Sequence, residues 1–251
     1  MDIVQTFYDS MADQYDKLFE DWTATTHEQA LILNRIFKDY GFDHNSQILD
    51  CACGIGTQSI GLAALGYKIT ASDISDGELK QAKERAKQNN VIIRFERAVF
   101  CRLSETFSDQ FDIIIAMDNA IPHMLTRNDL EKAIRSIILQ IKKGGIFVAS
   151  IRDYDKLLEQ KPSYSPPYIH KSDTGQRVSF QTWTWNNENY HLIQYIIDDK
   201  DKLSISKFEC KYRAVRRDEL NEILLSAGCS NVVWKTPEET DFYQPIVIAE
   251  K

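Results

Sequence analysis

Apolar residues Ile3, Phe7, Met11, Tyr15 and Leu18 recur at helical spacing through residues 3–19, and Ala30, Leu31, Leu33, Ile36 and Phe37 do the same through residues 25–38. Gly41 offers a stop for the second helix. The rhythm then changes. Short continuous apolar runs, "QILDC", "YKITASD", "VIIRFER", "FDIIIAMD" and "GIFVASI", read as buried strands. Between them, "TQSIGLAALG" and "DGELKQAKERAKQNN" predict helices, as does "RNDLEKAIRSIILQIKK", stopped by Gly144-Gly145. Strands alternating with helices at this spacing imply right-handed crossovers and a parallel sheet of the α/β class.

Past residue 152 the texture shifts. The stretch "KPSYSPPYIHKSDTG" reads as a loop. Alternating apolar and polar positions through residue 214, broken by "NNEN" and "DDKDK", predict three antiparallel strands. The helix "RRDELNEILLSAG" and the strands "NVVWKT" and "QPIVIAEK" return to the sheet. The chain thus divides into helices over 1–44, an α/β core over 45–152, an antiparallel insertion over 153–214 and a return to the core over 215–251.

Composition narrows the function classes. The chain has 251 residues and a formal net charge of −7, which gives no electrostatic reason to bind nucleic acid or an anionic membrane. Its longest apolar runs are strand-length, and the acidic start "MDIVQTFYDSMADQYD" has no basic leader segment, so a cytoplasmic protein is expected. Cys51 and Cys53 are spaced for neither a redox pair nor a zinc knuckle, and no metal is expected.

The chemistry concentrates at "ILDCACGIGTQS". A strand ends in Asp50, and small residues then lead through Gly54 and Gly56 into a helix. In a doubly wound sheet such a turn lies at the ligand-binding edge, where glycines let the backbone approach a ligand. A dinucleotide site would need a third glycine where Ser59 stands, which disfavours a nicotinamide oxidoreductase. Asp73, ending the next strand, is placed to accept ribose hydroxyls.

These residues resemble the class I S-adenosylmethionine-dependent methyltransferases. "LDCACGIGTQS" is similar to their first motif, Asp73 to the acid ending the second strand, "FDIIIAMDNAIPHML" to the fourth motif and "IKKGGIFVAS" to the entry into the fifth strand. The resemblance implies a Rossmann-like seven-stranded sheet, with the N-terminal helices covering the cofactor and the antiparallel insertion forming a substrate lid. It also implies S-adenosylmethionine as cofactor, held by Tyr15, Trp22, Asp50, Ala52, Gly54, Gly56, Asp73, Ile74 and Met117. Val99 and Phe100 stand where the family often has an acid beside adenine.

The fourth motif lacks the Pro-Pro-aromatic of enzymes that methylate base nitrogens, so nucleic acid is not the expected acceptor. "DNAIPHML", with Arg152 in an Arg–x–Tyr–Asp segment, resembles glycine and glycine/sarcosine N-methyltransferases. That resemblance implies a small amine or amino acid as acceptor. Arg152 would grip its carboxylate, Asn119 would be a polar contact, and His123 would order the loop or serve as base. Tyr8 would help cover the cofactor. Trp183 and Trp185, sharing one strand face, would either wall a methylammonium pocket or pack the lid. A methyltransferase for another small metabolite and a non-catalytic cofactor-binding protein stay open, as does the oligomeric state.

Overall fold

The computed structural model describes residues 3–172, 175–200 and 202–251. Asp173 and Thr174 of the expected loop, and Asp201 of the expected "DDKDK" turn, lie outside the described residues. Helix α1 (Ile3–Met11) is followed by a 3-10 segment over Ala12–Leu18 and by α2 (Trp22–Asp39). The α/β core then runs β1 (Gln47–Asp50), α3 (Thr57–Ala64), β2 (Lys68–Asp73), α4 (Asp76–Gln88), β3 (Arg94–Arg97), β4 (Phe111–Ala116), α5 (Arg127–Leu139) and β5 (Ile141–Ser150). After α6 (Tyr154–Gln160) come β6 (Tyr168–Ser172), β7 (Gly175–Asn186), β8 (Asn189–Asp198) and β9 (Ser204–Arg213). The chain ends with α7 (Arg217–Ser226), β10 (Asn231–Lys235), α8 (Pro237–Thr240) and β11 (Ile246–Glu250).

The main sheet has seven strands in the order β10-β11-β5-β4-β1-β2-β3, with β11 antiparallel to both its neighbours and the other pairings parallel. Alternate residues of each central strand enter opposite cores. Leu49, Ile114 and Phe147 pack with α5, α7 and the second sheet, while Ile48, Ile113 and Val148 pack with α2, α3 and α4. Burial on both faces is why these strands read as unbroken apolar runs. The strand order reverses between β1 and β4, so the crevice for a ligand lies where their carboxyl ends diverge.

The second sheet is antiparallel, in the order β6-β7-β8-β9. It has four strands where the pattern predicts three, because the proline-rich stretch contains β6. Pro166 and Pro167 cannot donate to a ladder, but they stand just before β6, which is an edge strand and tolerates them there.

Two other boundaries differ from the pattern. The first helix stops at Met11, and the tighter segment that follows brings Asp16 to Arg85 of α4 at 3.2 Å. Helix α5 ends at Leu139, not at the glycine pair, and Ile141 already pairs with Phe111 in the sheet. Gly144 (φ 80°) and Gly145 form an irregularity inside β5, where a Cβ on Gly145 would come within 2.5 Å of the Asp112 carbonyl oxygen.

Candidate functional site

Two adjoining cavities open at the carboxyl ends of the strands. The smaller, about 790 Å³, lies against the β1–α3 turn. Gly54 and Gly56 both have positive φ (50° and 92°), which bends the chain sharply from β1 into α3. Asp73 closes the end of β2 and fastens this turn, since its carboxylate accepts the Gly54 N–H at 2.9 Å and the Ser75 N–H at 2.9 Å. Ser59, at the missing glycine position, donates 2.7 Å to Asp50. Asp50 is fully buried and its carboxyl is pushed up to about 7 by desolvation.

Of the residues expected to hold the cofactor, Tyr15, Ala52, Gly54, Asp73, Ile74, Val99, Phe100 and Met117 line this cavity. Asp50, Gly56 and Trp22 do not: Asp50 binds Ser59 behind the turn, while Trp22 donates to the Thr57 hydroxyl at 3.0 Å and stacks on Arg85. No Lys or Arg is among the lining residues, which include the acids Asp73 and Asp118. Behind Gly54, Glu78 is buried with neither carboxylate oxygen hydrogen-bonded, and desolvation, with Asp73 nearby, pushes it well above the usual range. Apolar walls with carboxylates at hand suit a nucleoside with ribose hydroxyls and a positively charged sulfonium.

The larger cavity, about 1560 Å³ including space open to solvent, lies between the main sheet, the second sheet and the N-terminal helices. Asn119 and Arg152 both line it, from the segments that follow the adjacent strands β4 and β5. Arg152 donates to the Tyr190 hydroxyl at 3.0 Å and to Gln181 Oε1 at 2.9 Å. It lies over the rings of Trp183 (5.1 Å) and Tyr212 (5.8 Å). Among the described residues no carboxylate pairs with it: Asp153 binds Lys156 and Arg217, and Asp155 binds Arg217. Among the described residues, three of its five N–H groups therefore have no hydrogen-bond acceptor.

Asn119 occupies the left-handed region (φ 69°), which asparagine tolerates better than most residues. Its Oδ1 accepts from the Arg152 backbone N–H at 3.1 Å and from the Tyr154 hydroxyl at 3.0 Å. Two donors on one atom fix the amide's orientation, and Nδ2 is left buried without a partner.

His123 lines the smaller cavity, but its ring is occupied. Nε2 lies in hydrogen-bond contact with the Tyr8 hydroxyl at 2.8 Å, and the ring packs 4.2 Å from Tyr212. Desolvation pushes its pKa down to about 3, so the imidazole is neutral near pH 7. Trp183 and Trp185 line neither cavity; Trp183 supports Arg152, and Trp185 donates to the Pro162 carbonyl at 2.8 Å.

Sequence reasoning passed over several residues here. Tyr190, Gln194 and Tyr212 lie on the covered face of the second sheet, and a Gln within an otherwise apolar alternation was a signal for the second of them. Asp118 was visible in "DNAIPHML", and Tyr154 in the Arg–x–Tyr–Asp segment.

The match to known proteins follows the same parts of the chain. A family model for a methyltransferase domain matches residues 48–145. A glycine/sarcosine N-methyltransferase of Parasynechococcus marenigrum (strain WH8102) is 28% identical over 155 residues, covering 62% of this chain and 54% of that protein, so the chain matches about half its length. The glycine/sarcosine N-methyltransferase of Aphanothece halophytica is 24% identical over 211 residues, 84% of this chain and 77% of that protein. Among solved structures, an S-adenosylmethionine-dependent methyltransferase from Clostridium acetobutylicum ATCC 824 superposes with a TM-score of 0.74 at 17% identity, covering 97% of each chain. The matched stretch spans the β1–α3 turn, Asp73 and β4, and together these findings support a class I methyltransferase with S-adenosylmethionine as its cofactor.

Proposed function

We propose that the chain is an N-methyltransferase acting on a small amine that carries a carboxylate, with glycine and sarcosine the first acceptors to try. The observation that carries this reading is Arg152: a guanidinium lining the larger cavity with no carboxylate partner among the described residues. A bidentate carboxylate is the natural complement of that fork. The names of the similar proteins from Parasynechococcus and Aphanothece support the same acceptor class.

When bound, S-adenosylmethionine supplies an electrophilic methyl group on a sulfonium, whose sulfur leaves neutral and needs no acid. Asp73 would hold the ribose hydroxyls while keeping the Gly54 turn in place. Arg152 and the free Nδ2 of Asn119 would hold the acceptor's carboxylate and so fix where its nitrogen lies. Tyr8 and Tyr15, which line both cavities, would cover the reacting centre and exclude water. The lid sheet contributes by holding the Arg152 side chain through Tyr190 and Gln181.

The larger cavity is wide and opens to solvent, which favours one second reading, an acceptor amine bulkier than glycine. Both readings meet in one experiment. The protein is incubated with methyl-labelled cofactor and a panel of amino acids, amino alcohols and amino sugars, and products are read by mass spectrometry. Label on glycine or sarcosine supports the first reading. Label only on an acceptor without a carboxylate overturns it, and label on none favours a protein that binds the cofactor without turnover.

A further inference from the structure

Methyl transfer needs donor and acceptor to meet at a boundary common to both cavities. Three side chains line both: Tyr8, Tyr15 and Asp118. Burial holds both phenols well above their ordinary range, so neither is a base near neutral pH. Nε2 of His123 is committed to Tyr8. Asp118 differs from all of these. It sits two residues beyond β4 at φ 55°, and its backbone N–H is tied to the Ser150 hydroxyl of β5 at 2.8 Å. One carboxylate oxygen accepts from Gln58 at 2.8 Å and the other from Tyr243 at 2.9 Å. A carboxylate has about four acceptor sites, so lone pairs remain for a ligand.

Resting on the amine-acceptor reading above, we propose that Asp118 is a catalytic residue: it binds the acceptor's ammonium group and takes the proton that must leave before nitrogen can attack. Arg152 is anchored two residues past β5, the strand beside β4, and Asn119 bonds its backbone. The larger cavity thus carries an anion on one part of its wall and a cation on another, matching a zwitterionic amino acid. The step balances. One N–H proton passes to the Asp118 carboxylate, and the freed nitrogen pair forms the N–CH3 bond. The S–CH3 bond breaks with its electron pair going to sulfur. The product leaves as a methylated ammonium, and the Asp118 proton goes to water.

The groups that face Asp118 favour this role. Tyr15 comes from the 3-10 segment, Gln58 from α3, Tyr243 from the segment before β11, and the acid Asp50 lies at the end of β1. None is a cation; desolvation raises Asp118 above the usual carboxylate range, bringing it closer to an amine in proton affinity.

The test is the pH dependence of kcat/KM for wild type and Asp118→Asn on glycine, sarcosine and ethanolamine, with calorimetric binding of S-adenosylhomocysteine. Asparagine keeps the size of the side chain and tolerates the left-handed backbone. An enzyme that itself deprotonates a bound ammonium should give a nearly flat profile from about pH 6.5 to about pH 8.5. Asp118→Asn must wait for neutral amine from solution, so its kcat/KM should rise about tenfold per pH unit and fall about 30-fold or more below wild type at about pH 7. S-adenosylhomocysteine affinity should change less than about threefold. Parallel profiles for the two proteins, or a collapse of S-adenosylhomocysteine binding that accounts for the lost rate, would overturn the role of Asp118. If ethanolamine alone is turned over, the carboxylate reading fails, yet the two profiles on ethanolamine still decide Asp118. No turnover of any of the three overturns both.

Discussion

The side-chain oxygen of Asn119 accepts the backbone N–H of Arg152 at 3.1 Å, joining the loop after β4 to the end of β5. The bond belongs to a one-way network. Arg152 donates to Tyr190, Tyr190 lies 2.8 Å from Tyr154, and Tyr154 donates back to Asn119. Arg152 is thus held at its backbone from the core and at its guanidinium by the second sheet, which sets the orientation of the side chain. Such preorganisation is what a site needs to aim a nitrogen at a methyl group.

Replacing Asn119 by Asp keeps both accepted hydrogen bonds and removes the unpartnered Nδ2 donor. The new carboxylate would compete with the acceptor for Arg152. Acceptor kcat/KM should fall by about 2–4 kcal/mol, with the fold intact by circular dichroism. A variant with unchanged kinetics would remove Asn119 from the acceptor site.

Asp73 fastens the β1–α3 turn, and the proposed function gives it a second role, holding the ribose hydroxyls. Asp73→Asn keeps one acceptor for the Gly54 and Ser75 N–H groups but loses the charge. Cofactor affinity should weaken by about 1.5–3 kcal/mol. Calorimetry with S-adenosylhomocysteine measures this, and affinity equal to wild type would mean that Asp73 only secures the turn.

His123 makes acid stability a readout of burial. Its folded pKa is about 3, against about 6.5 in an unfolded chain. Between those values the unfolded state binds the extra proton, so this contribution is complete above about pH 6.5 and is lost as pH falls. His123→Gln retains a hydrogen-bonding partner for Tyr8 and removes the titration. On going from about pH 7 to about pH 5, wild type should lose about 2 kcal/mol more stability than the variant. Asp50, raised to about 7, acts in the opposite direction, losing its contribution as pH rises, but it is present in both proteins and cancels. Denaturant unfolding at the two pH values checks it; equal losses would mean His123 is protonated in the folded state.

The sheet and its cofactor edge were legible in the chain because double-sided burial and the GxG turn leave local marks: apolar runs, small residues and an acid at a strand end. The inner end of β5 was not. Gly144 and Gly145 look like a helix stop, and only pairing with Phe111 and β4 makes them an irregularity within a strand. Asp50 and Trp22 carry motif or helix positions that resemble cofactor contacts, yet they face Ser59 and Thr57. Side-chain direction at such positions depends on packing between distant segments. The same holds for Tyr190 and Gln181, whose grip on Arg152 spans 38 and 29 positions of sequence.

The central claim is that Arg152 receives a carboxylate, and steady-state kinetics of wild type and Arg152→Lys on glycine, sarcosine and ethanolamine test it most directly. A lysine keeps the charge but not the planar fork held by Tyr190 and Gln181. The account predicts that kcat/KM for glycine or sarcosine falls by about 2–4 kcal/mol in Arg152→Lys, with S-adenosylhomocysteine affinity nearly unchanged. It also predicts that wild type prefers both amino acids to ethanolamine, which has no carboxylate. Equal use of ethanolamine by wild type, or normal kinetics in Arg152→Lys, would contradict it.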